Sequence, residues 1–494
     1  MGRVDSPFVR TTRGAVRAGT LGLALAAASA LLPVVPPAGA AGEITHTWMA
    51  ASAVERVDIP ALRALLEAHP DQVRAGALFP DGGYYFADGR TWGEEAHWGR
   101  FTDAYVEQIR ARGDCGDLTD PDGPCAAEIA HLMGVRAHGT GDEVWDWLFE
   151  PYSPDLDEYY LPEELLPVSD GSGQELTMDF VAIGVHHRPT GPMPPAPSVP
   201  DLIDAFAAAG VEGVTPEMLA DARTTQNAVM GAEAAWTPEH LPGVLREMPW
   251  MANNIVGAPG GVDYAATAIA AQWEHMWHQL LGEDAPTEVA VTYPSDGQRR
   301  VPPTGWERSF QPGSSPGRGG ARNRISATLT YAAPYSPTNG GPPVPAELPA
   351  GSITLTEIAT GDPVPLMAGY PRSVPYGPDA GEYTVDVQPA ADLEACTWYR
   401  VRTTAALLDA GGEPVVPASW RFRTGADDPN DRCPGDLPTA RELHVRVHCA
   451  DRPSRVHRRS RVPGRHRGSA DAYVARLHRL FAGRDPDPGG RGFR

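Results

Sequence analysis

The sequence predicts a multidomain protein in which an all-α domain is followed by an all-β domain. Up to residue 285, apolar residues recur at three- and four-residue intervals, which is the spacing of amphipathic helices. After Pro286, short runs of β-branched or alternating residues follow one another, separated by Gly, Pro and Asn turns. A chain of 494 residues with 42% hydrophobic residues is long enough for two or three domains and apolar enough to bury their cores.

The clearest helical periodicity lies at 61–69, 101–112, 126–149, 201–222 and 262–281. Residues 76–90 are rich in glycine and aromatic residues and predict a loop. The segment 126–149 contains Gly134, Gly139 and Gly141, although each glycine costs a helix about 1 kcal/mol relative to alanine. Three such glycines predict that another part of the chain packs very close to this helix.

In the second half, the predicted strands are 287–293, 325–331, 353–358, 383–387 and 399–404. Short strands separated by turns over about 140 residues are typical of a β-sandwich. The segments TEVAVTYPSDGQRRVP, CTWYRVRTTAALLDAGGEPV and SWRFRTG resemble bacterial immunoglobulin-like domains. The resemblance implies an immunoglobulin-like sandwich over 286–425, which would hold or space a catalytic unit.

The N-terminus predicts a signal peptide over 1–40. Four arginines precede an apolar run at 21–35, and Ala38-Gly39-Ala40 offers a cleavage site of small residues. The apolar run is too short, and too often interrupted by proline, for a membrane span. We therefore expect a secreted protein.

The C-terminal residues 426–494 differ from the rest of the chain. Residues 441–494 carry 14 Arg against 5 acidic residues, whereas the whole chain has a net charge of −22. This composition predicts a basic, disordered tail. An out-of-frame end of the gene, or a segment that binds anionic lipid or cell wall, remain the alternatives.

Export permits disulfide bonds, and the chain has five cysteines. Cys115 and Cys125 flank a loop of Asp, Gly and Pro, and we predict that they pair. Zinc binding by these two is the weaker interpretation, because no CxxC spacing accompanies them. Cys396 could pair with Cys433 or with Cys449, which leaves one cysteine over.

Candidate metal ligands recur at helical spacing in the first domain. A hydrolytic metal site needs several nitrogen or oxygen ligands that converge on one cavity, and residues four apart project from one helix face. The candidates are His138, Asp142 and Asp146 at four-residue intervals, the pair Glu175 and Asp179, and upstream Asp81 and His97. Each alone could be a surface pair or a buried polar residue. Their order and context as a set favour a metal site.

The segments that contain these residues resemble the zinc-dependent phospholipase C family. They are Thr45-His46, AGALFPD, EEAHWGRF, GVRAHGTGDEVWD and ELTMD. The similarity covers roughly 43–285 and is greatest to the branch that includes the N-terminal domain of glycosylphosphatidylinositol-specific phospholipase D. For 41–285 it implies an all-helical fold with a cluster of two or three Zn²⁺ ions.

The resemblance also implies individual roles. Asp81 would ligate metal and act as general base, and Asp142 would bridge two metals. The implied ligand set is His46, Asp81, His97, His138, Asp142, Asp146, Glu175 and Asp179. Asp146 and Glu175 stand where the family has histidines. Because carboxylates alone suit Ca²⁺, Mg²⁺ or Mn²⁺, we expect one site to hold such an ion, or none.

The expected function is that of a secreted metal-dependent phosphodiesterase acting on phospholipid or a related diester, at a membrane surface or cell envelope. Tyr84, Tyr85, Phe86 and Trp92 are candidates for an apolar surface near the site, or else pack the loop onto the helices. One alternative is a catalytically impaired binding or adhesion protein. Another is a single-strand nuclease, which the acidic body of the chain disfavours.

Overall fold

The computed structural model describes residues 42–85, 90–149, 157, 174–304, 325–332, 348–367, 383–427 and 431–435. The described residues are rich in helix up to Leu281 and form antiparallel sheets from Val289 onward. Apart from Gly435, they belong to one compact unit that ends at Pro434. The signal-peptide prediction lies outside the described residues, as does almost all of the predicted tail.

The helices are α1 Glu43–Val54, α2 Pro60–Ala68, α3 Pro70–Leu78, the 3₁₀ helix η1 Pro80–Tyr85, α4 Arg90–Ala96, α5 Gly99–Ala111, α6 Ala126–Val144, a π-helical turn Trp145–Phe149, α7 Gln174–Gly184, α8 Val199–Ala208, α9 Pro216–Glu247, α10 Pro249–Asn254 and α11 Val262–Leu281. The predicted helices at 61–69, 101–112 and 262–281 are confirmed to within two residues.

Two predictions for this half are wrong. The expected helix 201–222 is two helices, because Gly210 and Gly213 take positive φ between α8 and α9, a conformation that ends a helix. A new helix then begins at Thr215, whose hydroxyl accepts from the Met218 N–H at 3.3 Å. The expected loop at 76–90 is mostly the end of α3 followed by η1.

Helix α6 is crossed at very short range by its neighbours. A Cβ atom on Gly134 would lie 2.2 Å from the Val73 carbonyl oxygen of α3, and one on Gly139 would lie 1.9 Å from the His97 carbonyl oxygen. A Cβ on Gly141 would meet the His46 ring at 3.2 Å. The close packing predicted from these three glycines is confirmed, and it brings the elements on either side of α6 close to its backbone.

Within the described residues, the β part forms two four-stranded antiparallel sheets. The strands are β1 Val289–Tyr293, β2 Ile325–Leu329, β3 Ile353–Glu357, β4 Pro363–Val364, β5 Leu366–Met367, β6 Thr384–Pro389, β7 Trp398–Thr403 and β8 Ser419–Arg423. Their orders are β1-β2-β6-β5 and β4-β3-β7-β8. All five predicted strands are present, with bounds shifted by at most two residues. Inward side chains of both sheets, such as Leu329, Leu355 and Phe422, form a common core.

The described part of the chain contains two disulfide bonds, Cys115–Cys125 and Cys396–Cys433. The first confirms the predicted pair, and the second selects Cys433 over Cys449 as the partner of Cys396. Among the residues that the structure describes, no helix combines the length and the apolar character needed to cross a membrane.

Candidate metal centre

Five of the expected ligands converge, although they come from four separate segments. His46 lies on α1, Asp81 on η1, and His97 directly follows α4. His138 and Asp142 lie one turn apart on α6 and project from the same face. The short distances across the α6 glycines allow the neighbouring segments to reach this face.

The ligand atoms form two overlapping groups of three, and within each group all atoms lie within 4.8 Å of one another. The groups are His46, His138 and Asp142, and Asp81, His97 and His138. Asp142 faces both, since its Oδ1 lies 2.9 Å from His46 Nε2 and its Oδ2 lies 3.3 Å from the Nε2 atoms of His97 and His138. Asp81 Oδ1 lies 3.5 and 3.4 Å from those same two nitrogens.

Backbone carbonyls orient two of the imidazoles. His97 Nδ1 lies 2.8 Å from the Gly93 carbonyl oxygen, and His138 Nδ1 lies 2.7 Å from the Ala77 carbonyl oxygen. A carbonyl only accepts, so each Nδ1 carries its proton and donates it. In a neutral ring the lone pair is then on Nε2. The two Nε2 atoms are 3.0 Å apart and both face the carboxylates.

His46, by contrast, has buried ring nitrogens without hydrogen bonds among the described residues. It is buried and stacked on His138, with ring centroids 3.8 Å apart. Its Nε2 is close to Asp142, but neither of its ring nitrogens has a hydrogen bond of acceptable geometry within the described part of the chain. A buried nitrogen is rarely left in this state unless it serves another ligand. This observation, together with the facing Nε2 pair, fits a divalent metal.

The electrostatics of the centre require a positive charge. Burial opposes ionisation of Asp81, but His138 and His97 hold the pKa of its carboxyl well below its usual range. Burial alone would lower the pKa of His97, yet its hydrogen bond to Asp81 and the charges of Asp142 and Asp81 raise it to about 9. Near neutral pH the cluster therefore holds a proton on His97 where a metal ion would otherwise supply the charge.

The centre is reached from the side of Asp81. The exposed fraction of the Asp81 side chain is 15%, against 6% for Asp142 and 4% or less for the three histidines. Tyr84 borders this side with its ring centroid 5.4 Å from that of His97, and its hydroxyl donates to Glu94 Oε2 at 2.5 Å.

Asp179 has a different role from the one expected of it. Its Oδ2 accepts from the Ile44 N–H at 2.8 Å, and its Oδ1 accepts from the Thr45 N–H at 2.9 Å and the Thr45 hydroxyl at 2.7 Å. The carboxylate thus satisfies the amide donors at the start of α1, where the helix dipole also favours an anion. Asp179 orients the helix that carries His46, and it belongs to neither group of ligands.

Of the other two expected carboxylates, Glu175 is described by the structure and does not belong to the centre. Glu175 is half-buried in the first turn of α7 and belongs to neither ligand group. Asp146 lies in the π-helical turn Trp145–Phe149 that follows α6. The side chain of Asp146 lies outside the described residues, and the all-carboxylate site stays a prediction.

Two buried carboxyl groups near the centre were not singled out from the sequence. Glu43 on α1 accepts from the Tyr85 hydroxyl at 2.5 Å, and Glu233 lies on α9. Burial raises the pKa of both well above the usual range, and neighbouring carboxylates raise them further. Glu43 had a signal in the sequence, because it precedes His46 by three residues on one helix face. Glu233 had none, since helix α9 was not predicted around it.

The aromatic residues proposed as an apolar surface are largely internal. Trp92 is 1% exposed and packs on Phe79 and Phe206, and Tyr85 is buried beside Glu43. Phe86 lies outside the described residues. The alternative, in which these rings pack onto the helices, therefore holds for Trp92 and Tyr85.

No protein-family profile and no curated protein matches this chain. Solved structures of the bacterial S-layer protein SbsC are similar at a TM-score of 0.18. In one of them, the sequence identity is 11%, and the match covers 74% of this chain and 46% of the S-layer chain. In a second, the identity is 12%, and the match covers 76% of this chain and 45% of the S-layer chain. The chain thus spans less than half of those S-layer chains. A similarity at this level supports neither a shared fold nor a shared function.

Proposed function

We propose that this protein is a secreted, metal-dependent phosphodiesterase of the zinc-dependent phospholipase C type. The observation that carries the proposal is the convergence of three imidazoles and two carboxylates from separate segments, His46, Asp81, His97, His138 and Asp142. Two of the imidazoles have the proton of Nδ1 committed to carbonyls, so that their Nε2 atoms point inward. Packing alone does not explain why several buried imidazoles and carboxylates face one another in this way.

The donor set suits zinc. Imidazole nitrogens with one or two carboxylates are the usual ligands of catalytic Zn²⁺, whereas Ca²⁺ and Mg²⁺ prefer oxygen alone. A divalent ion bound here would supply a Lewis acid and lower the pKa of water. The protein contributes the fixed orientation of His97 and His138 and a carboxylate, Asp142, with one oxygen toward each ligand group.

Among the five candidate ligands, we assign proton transfer to Asp81. It is the most exposed of the five ligands and is ionised, because the neighbouring histidines hold its pKa low. From this position it can accept a proton from a water that approaches the substrate from the solvent side. The imidazoles of His97 and His138 lie directly behind it and stabilise its charge.

The choice of a lipid rather than a nucleic acid rests on charge and compartment. A net charge of −22 repels a polyanion at long range, whereas a single phosphodiester group presents little charge. The predicted signal peptide and the two disulfide bonds support an extracellular location, where disulfides persist.

The test is the Asp142→Asn variant, which keeps the shape of the side chain and removes its charge. We expect the wild-type protein, purified after export, to contain zinc by elemental mass spectrometry and to hydrolyse bis-p-nitrophenyl phosphate and phosphatidylcholine. Loss of a shared ligand should lower turnover by at least about 100-fold and release zinc. Asp263→Asn, at an exposed carboxylate paired with Arg56, is the control and should change neither quantity.

The other outcomes would each contradict a different part of the proposal. Full activity in Asp142→Asn would refute the assignment of the centre. Faster cleavage of single-stranded DNA than of phosphatidylcholine would favour the nuclease. Bound zinc without turnover of any phosphodiester would favour the secreted binding protein.

A further inference from the structure

The helix that carries His138 and Asp142 has a second set of buried polar contacts on its opposite side, where it meets the β-sandwich. At about 100° per residue, Arg136, Thr140 and Glu143 project roughly opposite to the two ligands. All three are buried, with exposed fractions between 1% and 3%. Helix α6 therefore has one polar face toward the metal centre and another toward the sandwich.

Tyr383 is held by two of these residues. It immediately precedes β6 and is fully buried. The Arg136 guanidinium lies 4.0 Å from the centre of its ring, and Arg136 Nη1 donates to its hydroxyl. The Tyr383 N–H in turn lies 3.1 Å from each carboxylate oxygen of Glu143. One residue of the sandwich thus fixes two positions on α6, seven residues apart.

Gln272 of α11 makes the second connection. It is fully buried and accepts from the Thr140 hydroxyl at 2.5 Å, while its Nε2 donates to the Leu329 carbonyl of β2 at 3.0 Å. Leu329 N–H donates to the Tyr383 carbonyl oxygen at 2.7 Å. Both connections from α6 therefore reach the same β2–β6 ladder.

Such contacts resist rotation of the helix. Buried polar groups that lose their partners are costly, so any turn of α6 about its axis that breaks the Arg136, Thr140 or Glu143 contacts is opposed. The same rotation would move His138 and Asp142, which must keep their separations from His46, Asp81 and His97. Groups outside the ligands that orient them commonly set metal affinity.

We propose that the β-sandwich is a structural part of the metal centre, in which Tyr383 and Gln272 are positioning residues that set metal affinity by fixing the rotation of α6. The inference rests on the metal centre of the proposed function. It assigns to the β half a role beyond that of a spacer, since its strands hold the side of α6 that faces away from the ligands.

The experiment measures zinc affinity in the folded, full-length protein, by competition with a chromophoric chelator well below the unfolding temperature. The variants are Tyr383→Phe, which removes only a hydroxyl, and Gln272→Leu, which leaves Thr140 its second acceptor, the Arg136 carbonyl. The control is Thr328→Val. It removes a buried hydrogen bond between the Thr328 hydroxyl of β2 and the Thr384 hydroxyl of β6, rather than one to a helix.

We expect zinc affinity to fall about tenfold in Gln272→Leu, severalfold in Tyr383→Phe, and not in Thr328→Val. The visible absorption spectrum of the cobalt-substituted protein should change in the first two variants only. A general loss of stability would not produce this pattern, because Thr328→Val weakens the same strands.

Unchanged zinc affinity and an unchanged cobalt spectrum in both positioning variants would overturn the inference and leave the proposed function intact. An equal loss in Thr328→Val would also overturn it, because the effect would then follow from weakening the sandwich in general. A wild-type protein that binds no zinc would refute the metal centre, and this inference with it.

Discussion

His97 and His138 differ from ordinary buried histidines because a backbone carbonyl fixes the orientation of each ring through Nδ1. A carbonyl oxygen takes the Nδ1 proton of each, from Gly93 and Ala77, and directs Nε2 into the centre. His131, seven residues before His138 on α6, is equally buried but packs against the rings of Phe79 and Tyr105. Burial alone lowers its pKa to about 3, so it is a neutral core residue.

This contrast gives a matched pair of variants. His138→Gln should lower the zinc content and abolish turnover, because it removes the one atom that both ligand groups share. His131→Gln should destabilise the fold but leave the zinc content per folded chain unchanged. Zinc content and circular dichroism of the two purified variants provide the comparison. Equal zinc loss in both would mean that the metal depends on the fold of α6 rather than on His138.

The sequence indicated the candidate ligand residues better than the groups that surround them. The HxxxD spacing of His138 and Asp142 follows from helix geometry and could be recognised directly. The carbonyls of Gly93 and Ala77 could not, because a backbone acceptor has no signature in the sequence and is placed by tertiary packing. The same reason explains Asp179, whose spacing from Glu175 resembled that of a ligand pair but whose partners are amides of α1.

At the scale of elements, the crossing of α3 and α6 depends on two glycines that face each other. A Cβ on Gly76 would lie 2.0 Å from the His131 carbonyl oxygen, and one on Gly134 would lie 2.2 Å from that of Val73. Any side chain here separates the two helices, and the Ala77 carbonyl that orients His138 moves with α3.

Gly134→Ala is therefore expected to lower the free energy of unfolding by about 3 kcal/mol, at the upper end of the usual cost of overpacking, and to weaken zinc binding. Gly231→Ala is the control, because Gly231 is exposed on α9 and a Cβ there meets nothing within 4 Å. It should stabilise the protein by roughly 0.5–1 kcal/mol through helix propensity. Urea denaturation measures both, and a neutral Gly134→Ala would contradict the close crossing.

Helices with an unbroken apolar periodicity were predicted well, whereas a helix interrupted by proline was not. Helix α11 has the predicted bounds, since its apolar residues keep one face without a break. Helix α9 was missed beyond residue 222, because Pro238 and Pro242 lie inside it and proline ordinarily ends a helix. Its packing against α7 and η1 overrides that local preference.

At the scale of the whole molecule, His275 of α11 lies where the helices contact the sheets. Its ring stacks on Tyr331, which follows β2, at a centroid distance of 5.3 Å. Burial, and then the nearby charge of Arg136, lower the pKa of His275 from 6.5 to about 4. The folded protein therefore keeps this ring neutral at pH values where the unfolded chain protonates it.

Because the unfolded state binds the extra proton, His275 should reduce stability as the pH falls from about 6.5 to about 4, and add nothing further below that. The loss amounts to about 3 kcal/mol over this window. His275→Phe keeps a ring against Tyr331 and removes the titration, so its stability should fall less steeply with acid. Urea midpoints between pH 8 and pH 4 test this, and parallel curves for the two proteins would contradict it.

The disulfides make a second prediction at this scale. Cys396–Cys433 closes a 37-residue separation that includes β7 and β8, and its removal by Cys396→Ser should cost about 2–4 kcal/mol. Cys449→Ser should leave stability unchanged, since Cys433 already has its partner. Peptide mapping under non-reducing conditions, with thermal unfolding, distinguishes the two. A cross-link from Cys396 to Cys449 would contradict the pairing.

Because His138 belongs to both ligand groups, the two groups could not bind metal ions independently. Its Nδ1 is committed to the Ala77 carbonyl, so only Nε2 remains, and one lone pair serves one ion at a time. Both ligand groups need that atom, whereas Asp142 can offer a separate oxygen to each. Two ions would consequently be held with unequal strength. The first ion would have a complete group of ligands and the second an incomplete one. Prolonged dialysis should therefore remove the second ion before the first.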